Sequence, residues 1–500
     1  MMNRFKRLSN AFIWNYLNKI SGYLLDFILS VVLARGLGTY GYGVYSEFFN
    51  LIFLFSLVAS LGLDTTINVF IPKLRSDPAR LSSFVRKTLM LVMGWSLLIA
   101  VLLALSREPL SIWLHSPDIK PLLLVGAVFL VFYNFINIAQ FVFLSLYQAK
   151  IVFWITLCLK GGFIASSLGV FWWGKGLPEI VTLFAVASLL ISMTIFIRLK
   201  PLYSPVPDPV RYSKYVEFGF NAWMIKFLNY FLGRYFDIFI LGLWGIAKTE
   251  ISYFNIALSV TLALSYFFTS GFSGISMAFF SEHAEDPSQR SRLVQGWLVV
   301  TKFALFFCIP AFIFVIFNAR QMIVGIYSDS FASSAPLLQI FASFFLLTMV
   351  LGSGINSTVL FAMQKDHLVL KWRALWGLVN VVLDILFVQL WQTTGVVVAT
   401  GISTLGIIAC EYGSLRAFIT FKYPALFLVK ISIATAFSTL VNWFISTPGW
   451  IGLFFKGVLF ILAFFVVLWF IKPFSKQDRE LAGRFLPALE RFVKPFEVDF

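Results

Sequence analysis

The stretch NAWMIKFLNYFLGRYFDIFI, residues 221–240, is apolar enough to enter a lipid bilayer and long enough to cross one, yet it carries Lys226, Arg234 and Asp237. A charge at that depth costs at least about 2.5–3.5 kcal/mol on insertion scales. Shifting the chain by 211 residues lays NAFIWNYLNKISGYLLD (10–26) over NAWMIKFLNYFLGRYFD (221–237), with identities at Asn10/Asn221, Ala11/Ala222, Leu17/Leu228, Asn18/Asn229, Gly22/Gly233 and Asp26/Asp237. Chance would give roughly one or two matches in so biased a composition. A weaker echo sets Ile136-Asn137 against Ile355-Asn356. The chain therefore reads as two repeats, and the polar stripe of 221–240 repeats that of the first span.

The composition fixes the class. Hydrophobic residues make up 59% of the chain, charged ones only 12%, where a globular domain has about 25% charged. About fourteen apolar runs of roughly 20 residues follow one another, at 11–33, 44–70, 84–106, 121–145, 151–172, 178–197, 216–243, 251–277, 293–317, 336–362, 369–391, 395–416, 426–445 and 451–471. They are too long and too uniformly apolar for barrel strands, so the fold class is an all-α integral membrane protein. Six spans per repeat is an even number, so the halves enter the membrane the same way round and line a cavity between them.

The expected organisation is an N-terminal lobe at 1–200, a Pro-rich linker at 201–215, a C-terminal lobe at 216–416, two additional spans at 417–471 and a basic tail at 472–500. Pro201, Pro205, Pro207 and Pro209 favour a stiff connection. The net charge of +16 is not a nucleic-acid footprint, because no basic soluble face exists. About 26 of the 39 Lys and Arg fall in alternate loops and the termini, a bias that places both termini in the cytoplasm. The start MMNRFKRLSN runs into a long first span without a small-residue cleavage site, which argues against a cleavable signal peptide. In the tail, Leu481, Phe485, Leu489 and Phe492 at helical spacing among Arg479, Arg484, Arg491 and Lys494 suit a helix lying on the anionic inner leaflet.

Several motifs carry no chemistry. GLGTYG (36–41) follows a membrane span rather than a strand, so it reads as a short outer turn and not a dinucleotide loop. Cys158, Cys308 and Cys410 lie far apart in apolar spans, and His115, His283 and His367 stand alone, which leaves no metal cluster to predict. No catalytic constellation is visible, so transport is favoured over an enzymatic role.

The charges inside the spans are the candidate site. Asn15, Lys19, Gly22 and Asp26 fall on one helix face, and Lys226, Gly233 and Asp237 occupy the equivalent positions of Asn15, Gly22 and Asp26. The candidate cavity cations are Lys19, Lys160, Lys226, Arg234 and Lys302; the cavity acids are Asp26, Asp237 and Asp384. Asn15, Asn18, Asn134, Asn137, Gln140 and Asn229 are the candidate cavity polar residues. Lys160 and Lys302 have no acid nearby on their own helices, Asp384 is an available partner for Lys302, and Lys430 and Lys456 sit near span ends where they can snorkel. A cavity with excess positive charge selects anions, and phosphate or pyrophosphate suits Lys and Arg.

RGLGTYGYGVYS (35–46), SLGLDTTINVFIPKL (60–74), YSDSFASSAPLLQI (327–340) and GINSTVLFAMQKDHLVLKWRALWGLVNVVLDILFVQLWQTTGVVVAT (354–400) resemble polysaccharide-export, or O-antigen, flippases of the Wzx type, in the multidrug/oligosaccharidyl-lipid/polysaccharide (MOP) exporter superfamily. The resemblance covers nearly the whole chain. It implies two six-helix lobes forming a V with two extra helices, and transfer of a polyprenyl-pyrophosphate-linked oligosaccharide to the outer leaflet of the bacterial cytoplasmic membrane. It implies that cavity Arg and Lys engage the pyrophosphate, and that membrane lipids, the lipid-linked oligosaccharide and polysaccharide polymerase or export proteins are the partners. It calls for no cofactor and leaves a coupling ion, H+ or Na+, open. GFSGISMAF (271–279) departs from the family pattern, in which many relatives carry a Pro, so the bend of span eight is open. The alternative on the same fold, a cation-coupled multidrug exporter, expects an acidic, aromatic cavity rather than a basic one.

Overall fold

The computed structural model describes residues 2–199, 212–230, 233–284, 290–445, 449–485, 490–491 and 493–497. These residues are helical almost throughout, with one isolated bridge between Phe474 and Glu497. In lipid a helix is the economical solution, because it satisfies every backbone donor within its own segment. Ten helices among the described residues are long and apolar enough to cross a membrane. The chain is a multi-pass membrane protein.

The described residues cluster into two compact units, Met1–Asn255 and Ile256–Phe500. The first holds α1 (Met2–Ser60), α2 (Leu63–Leu74), α3 (Pro78–Leu105), α4 (Arg107–Trp113), α5 (Ile119–Ser145), α6 (Ala149–Trp172), α7 (Leu177–Leu199), α8 (Ser213–Tyr230), α9 (Arg234–Leu243) and the start of α10 (Lys248–Ala284). The second holds the rest of α10, α11 (Arg290–Ile326), α12 (Ser334–Val350), α13 (Ile355–Ala362), α14 (Asp366–Phe418), α15 (Ala425–Trp443), α16 (Gly449–Ile471) and α17 (Lys476–Phe485). The sequence repeat begins its second copy at 221, whereas packing gathers α8, α9 and the first turns of α10 with the first unit. The Pro-rich linker expected at 201–215 lies mostly outside the described residues.

Two helices are long enough for two crossings each. Ile13–Ser60 and Asp366–Phe418 have 48 and 53 residues, or about 70–80 Å at 1.5 Å per residue against a core of about 30 Å. Each breaks at one residue, Gly38 (φ 69°, ψ −177°) in α1 and Gln392 (φ 50°, ψ −128°) in α14. The outer turn expected at GLGTYG is therefore a single left-handed residue between helical segments, a conformation in which glycine carries no Cβ penalty. Beyond Gln392, a Cβ on Gly395 would lie 2.0 Å from the Phe387 carbonyl oxygen, so glycine is what lets the two segments of α14 approach so closely.

Two further expectations changed. The span at 216–243 is not one described helix: α8 ends at Tyr230, and α9 starts at Arg234 after an extended Gly233. Span eight, by contrast, is helical without interruption through 271–279, as part of α10.

In the first unit α5 packs on α3 and α7, while α1 packs on α6 and α5. Phe48, Phe84, Phe129 and Phe184 are wholly buried, and Phe163 stacks on Phe184 at 4.2 Å between centroids. Asp77 caps α3 by accepting from the Arg80 amide at 3.1 Å, with Pro78 in the first turn. In the second unit Phe303, Phe306, Phe464 and Leu468 form a core with Phe474, Val493 and Phe496 of the tail. These three residues anchor the tail to the unit; the side chains of Leu481, Phe485, Leu489 and Phe492, on which the leaflet expectation rests, lie outside the described residues. Exposed tryptophans at helix ends, Trp113, Trp172, Trp173, Trp391, Trp443 and Trp450, match the aromatic belts of membrane interfaces.

Candidate functional site

Charge inside these spans is organised as specific pairs, and the first lies between α1 and α6. The Lys160 ammonium donates to Asp26 Oδ2 at 2.7 Å and to the Gly22 carbonyl at 3.1 Å. The Asp26 side chain is 56% exposed and that of Lys160 25%. A half-exposed carboxylate on a membrane-crossing helix has to see water or a polar ligand, since lipid offers it nothing. Lys19 is exposed two turns earlier on the same helix. Tyr133 on α5 lies close enough to Asp26 to feel its charge. Phe53 lies between two tyrosines, 5.9 Å from Tyr133 and 5.6 Å from Tyr235. Asn15, Asn18 and Gln140 are half-buried.

A second pair joins α8 to α2: Lys226 donates to Asp64, with the acid the more buried of the two. Two glycines permit that crossing. A Cβ on Gly62, whose φ is +67°, would lie 2.0 Å from the Gly219 carbonyl oxygen, and one on Gly219 would lie 2.9 Å from the Leu61 carbonyl oxygen. Around it the Trp223 indole donates to the Leu57 carbonyl at 2.9 Å, and Phe70 meets Tyr215 edge-on at 4.7 Å. Just before α8, the Tyr212 hydroxyl lies 2.6 Å from that of Thr88, and burial pushes its pKa up to about 12.

Other predicted site residues are placed elsewhere. Asn134 is buried; it accepts from Ser56 and donates to Ser96 at 3.2 Å, tying α5 to α1 and α3. Lys302 does not meet Asp384. Its ammonium bonds both carboxylate oxygens of Asp478 at 2.8 and 2.7 Å, and it lies over the Phe427 ring at 5.7 Å. Asp384 is fully buried and accepts from the Asn380 amide at 2.7 Å. Lys430 donates to the Lys472 carbonyl at 2.9 Å, and Lys456 to Gln321 at 3.0 Å. The side chains of Arg234 and Asn229 lie outside the described residues.

The repeat sets Asp26 and Asp237 as equivalents, and the structure gives them opposite surroundings: Asp26 is half-exposed and Asp237 is fully buried. Removing a buried polar side chain strands the groups it faces, at a cost of about 1–3 kcal/mol, whereas a solvated pair contributes about 0–1 kcal/mol. Asp237→Ala is therefore expected to lower the melting temperature of the detergent-purified protein by several degrees. Asp26→Ala is expected to leave it nearly unchanged. Equal shifts would show that the two sites share one environment.

Sequence reading missed Asp64, Asp478 and the pair Glu47–Lys248. Asp64 stands inside the quoted 60–74 stretch, and Glu47 and Lys248 sit close to span ends, so the cost of burying them was not evident from position alone.

The family model described as polysaccharide biosynthesis protein matches residues 32–336, more than half of the chain, and the chain belongs to that family. No characterised protein matches by sequence. Among solved structures, the lipid II flippase MurJ in an inward closed conformation aligns with a TM-score of 0.75 at 18% identity, covering 91% of this chain and 98% of that one. A multidrug resistance MATE family transporter of the MOP superfamily, inward-facing, aligns at 0.65 with 15% identity, over 80% and 94% of the two chains. A MOP superfamily transporter from Pyrococcus furiosus, described as having a binding pocket of reverse polarity, aligns at 0.51 with 15% identity, over 83% and 95%. The chain shares its fold with these solved structures, as the sequence resemblance implied.

Proposed function

We propose that this protein is a flippase that carries a polyprenyl-(pyro)phosphate-linked oligosaccharide from the inner to the outer leaflet of the bacterial cytoplasmic membrane, in the synthesis of O-antigen, capsule or exopolysaccharide. The observation that carries the reading is the half-exposed Lys160–Asp26 pair on membrane-crossing helices, in a chain of the polysaccharide biosynthesis family. Lys160 is a transferable cation: held on Asp26 when the site is empty, it is free to turn to a phosphate oxygen when the head group arrives, because a charge-assisted bond replaces one of the same kind. Asp26 keeps the ammonium positioned meanwhile. Lys19, exposed on the same helix, adds positive potential at the approach.

In this reading the two repeats, 1–200 and 216–416, work by alternating access through the linker at 201–215, with both termini cytoplasmic. The polyprenyl chain stays in lipid, and a polymerase or export protein receives the product. The role is transport, not catalysis.

The test is a strain lacking the gene. Lipid-linked oligosaccharide is expected to accumulate on the cytoplasmic side, with loss of surface glycan and unchanged drug sensitivity. Normal surface glycan together with drug hypersensitivity would replace this reading with drug export.

A further inference from the structure

Neither the repeat nor the phosphate site uses the buried pair Glu47–Lys248. Lys248, at the start of α10, donates to Glu47 Oε1 at 2.8 Å and to the Leu114 carbonyl oxygen at 3.0 Å. The side chains of Lys248 and Glu47 are 7% and 1% exposed. The buried Ser116 side chain lies beside the Glu47 carboxylate. The contact is built for close approach. A Cβ on Gly43 would lie 1.8 Å from the Lys248 carbonyl oxygen, and one on Gly242 would lie 2.5 Å from Glu47 Oε1. Seven residues along α10, about 10 Å further in, the Asn255 amide donates to the Ser46 hydroxyl at 2.5 Å.

A buried ion pair is a poor permanent fastener, since well-packed apolar residues of the same volume hold as well or better. It has a different merit. When the two surfaces part and water enters, each charge recovers its hydration, whereas a parted apolar seam exposes its whole area to water. The core of this unit is apolar, with Phe48, Phe129 and Phe184 wholly buried. The polar contact joins the segment after Gly38 to the segment after Gly233, which lie on opposite sides of the linker in sequence.

We propose that Glu47 and Lys248, with Leu114, Ser116, Ser46 and Asn255 around them, form a water-openable latch, and that its release lets α9 and the start of α10 swing away from α1 toward the outer face. The sidedness rests on the orientation set by the basic loops, and the need to open rests on the proposed flippase cycle.

The test uses full-length protein in intact cells, with Cys158, Cys308 and Cys410 replaced and Asn255→Cys as the reporter of opening. A membrane-impermeant maleimide is expected to label this Cys slowly from outside while Glu47 and Lys248 are both present, and at least tenfold faster with Glu47→Gln. Equal rates, or no labelling with the latch intact while the same thiol reacts fully in detergent, would overturn the latch. Should Glu47→Gln not fold, the decision passes to the pair Ser46→Cys with Asn255→Cys, which keeps both charges. Labelling that disappears on oxidation and returns on reduction supports opening at this contact; labelling unchanged by oxidation overturns it. Because the maleimide reports opening whatever the cargo, failure of the flippase reading is seen separately, as absence of accumulated lipid-linked oligosaccharide in the deletion strain.

Discussion

Lys160→Met is expected to reduce surface glycan at least tenfold while the protein remains at normal abundance and melts at nearly its usual temperature. The expected size follows from what is removed. A hydrogen bond to a charged group contributes about 1.5–3 kcal/mol, or roughly ten- to a hundredfold in a binding equilibrium. The fold is spared because methionine keeps the apolar stem, and the abandoned Asp26 is exposed enough to stay hydrated. Asp26→Asn gives the decisive comparison. It removes the partner and leaves the cation, so export is expected to fall less than with Lys160→Met. A larger loss from Asp26→Asn than from Lys160→Met would transfer the working role from the ammonium to the carboxylate. The measurement is surface glycan in the complemented deletion strain, set against immunoblot abundance.

The class of the fold was legible because composition and span length are one-dimensional properties. The repeat was legible because six identities survive in register between 10–26 and 221–237. Pairing was not legible. Lys160 finds Asp26 on another helix, and Lys226 finds Asp64, neither at a sequence distance that helical periodicity addresses. Periodicity tells which residues share a face, whereas the identity of the facing helix is a property of packing. The contrast between Asp26 and Asp237 has the same origin: the two positions match in the repeat, but one side chain is half-exposed and the other buried. Lys302 shows the limit most plainly. A lysine near the middle of an apolar run looked like a site for an anionic ligand, and its anion is Asp478 of the chain's own tail.

That pairing makes a prediction about stability rather than transport. Asp478 does two jobs. It accepts twice from Lys302, and it closes the start of α17, where the amide and hydroxyl of Ser475 both donate to Asp478 Oδ2, at 2.9 and 2.8 Å, and the Asp478 amide donates to Ser475 Oγ at 3.3 Å. This is the reciprocal arrangement of a capping box. With side chains 18% and 6% exposed, loss of one partner leaves an uncompensated charge among apolar groups, at a cost of about 3–5 kcal/mol. Asp478→Asn is expected to lower the melting temperature substantially and to release the tail to protease. Lys302→Met combined with Asp478→Asn is expected to recover most of that loss, because the asparagine oxygen still accepts from Ser475 and no charge is stranded. If the double variant melts as low as Asp478→Asn alone, the cap rather than the ion pair holds the tail. If Asp478→Asn does not lower the melting temperature but abolishes export, Lys302 belongs with the cargo site after all.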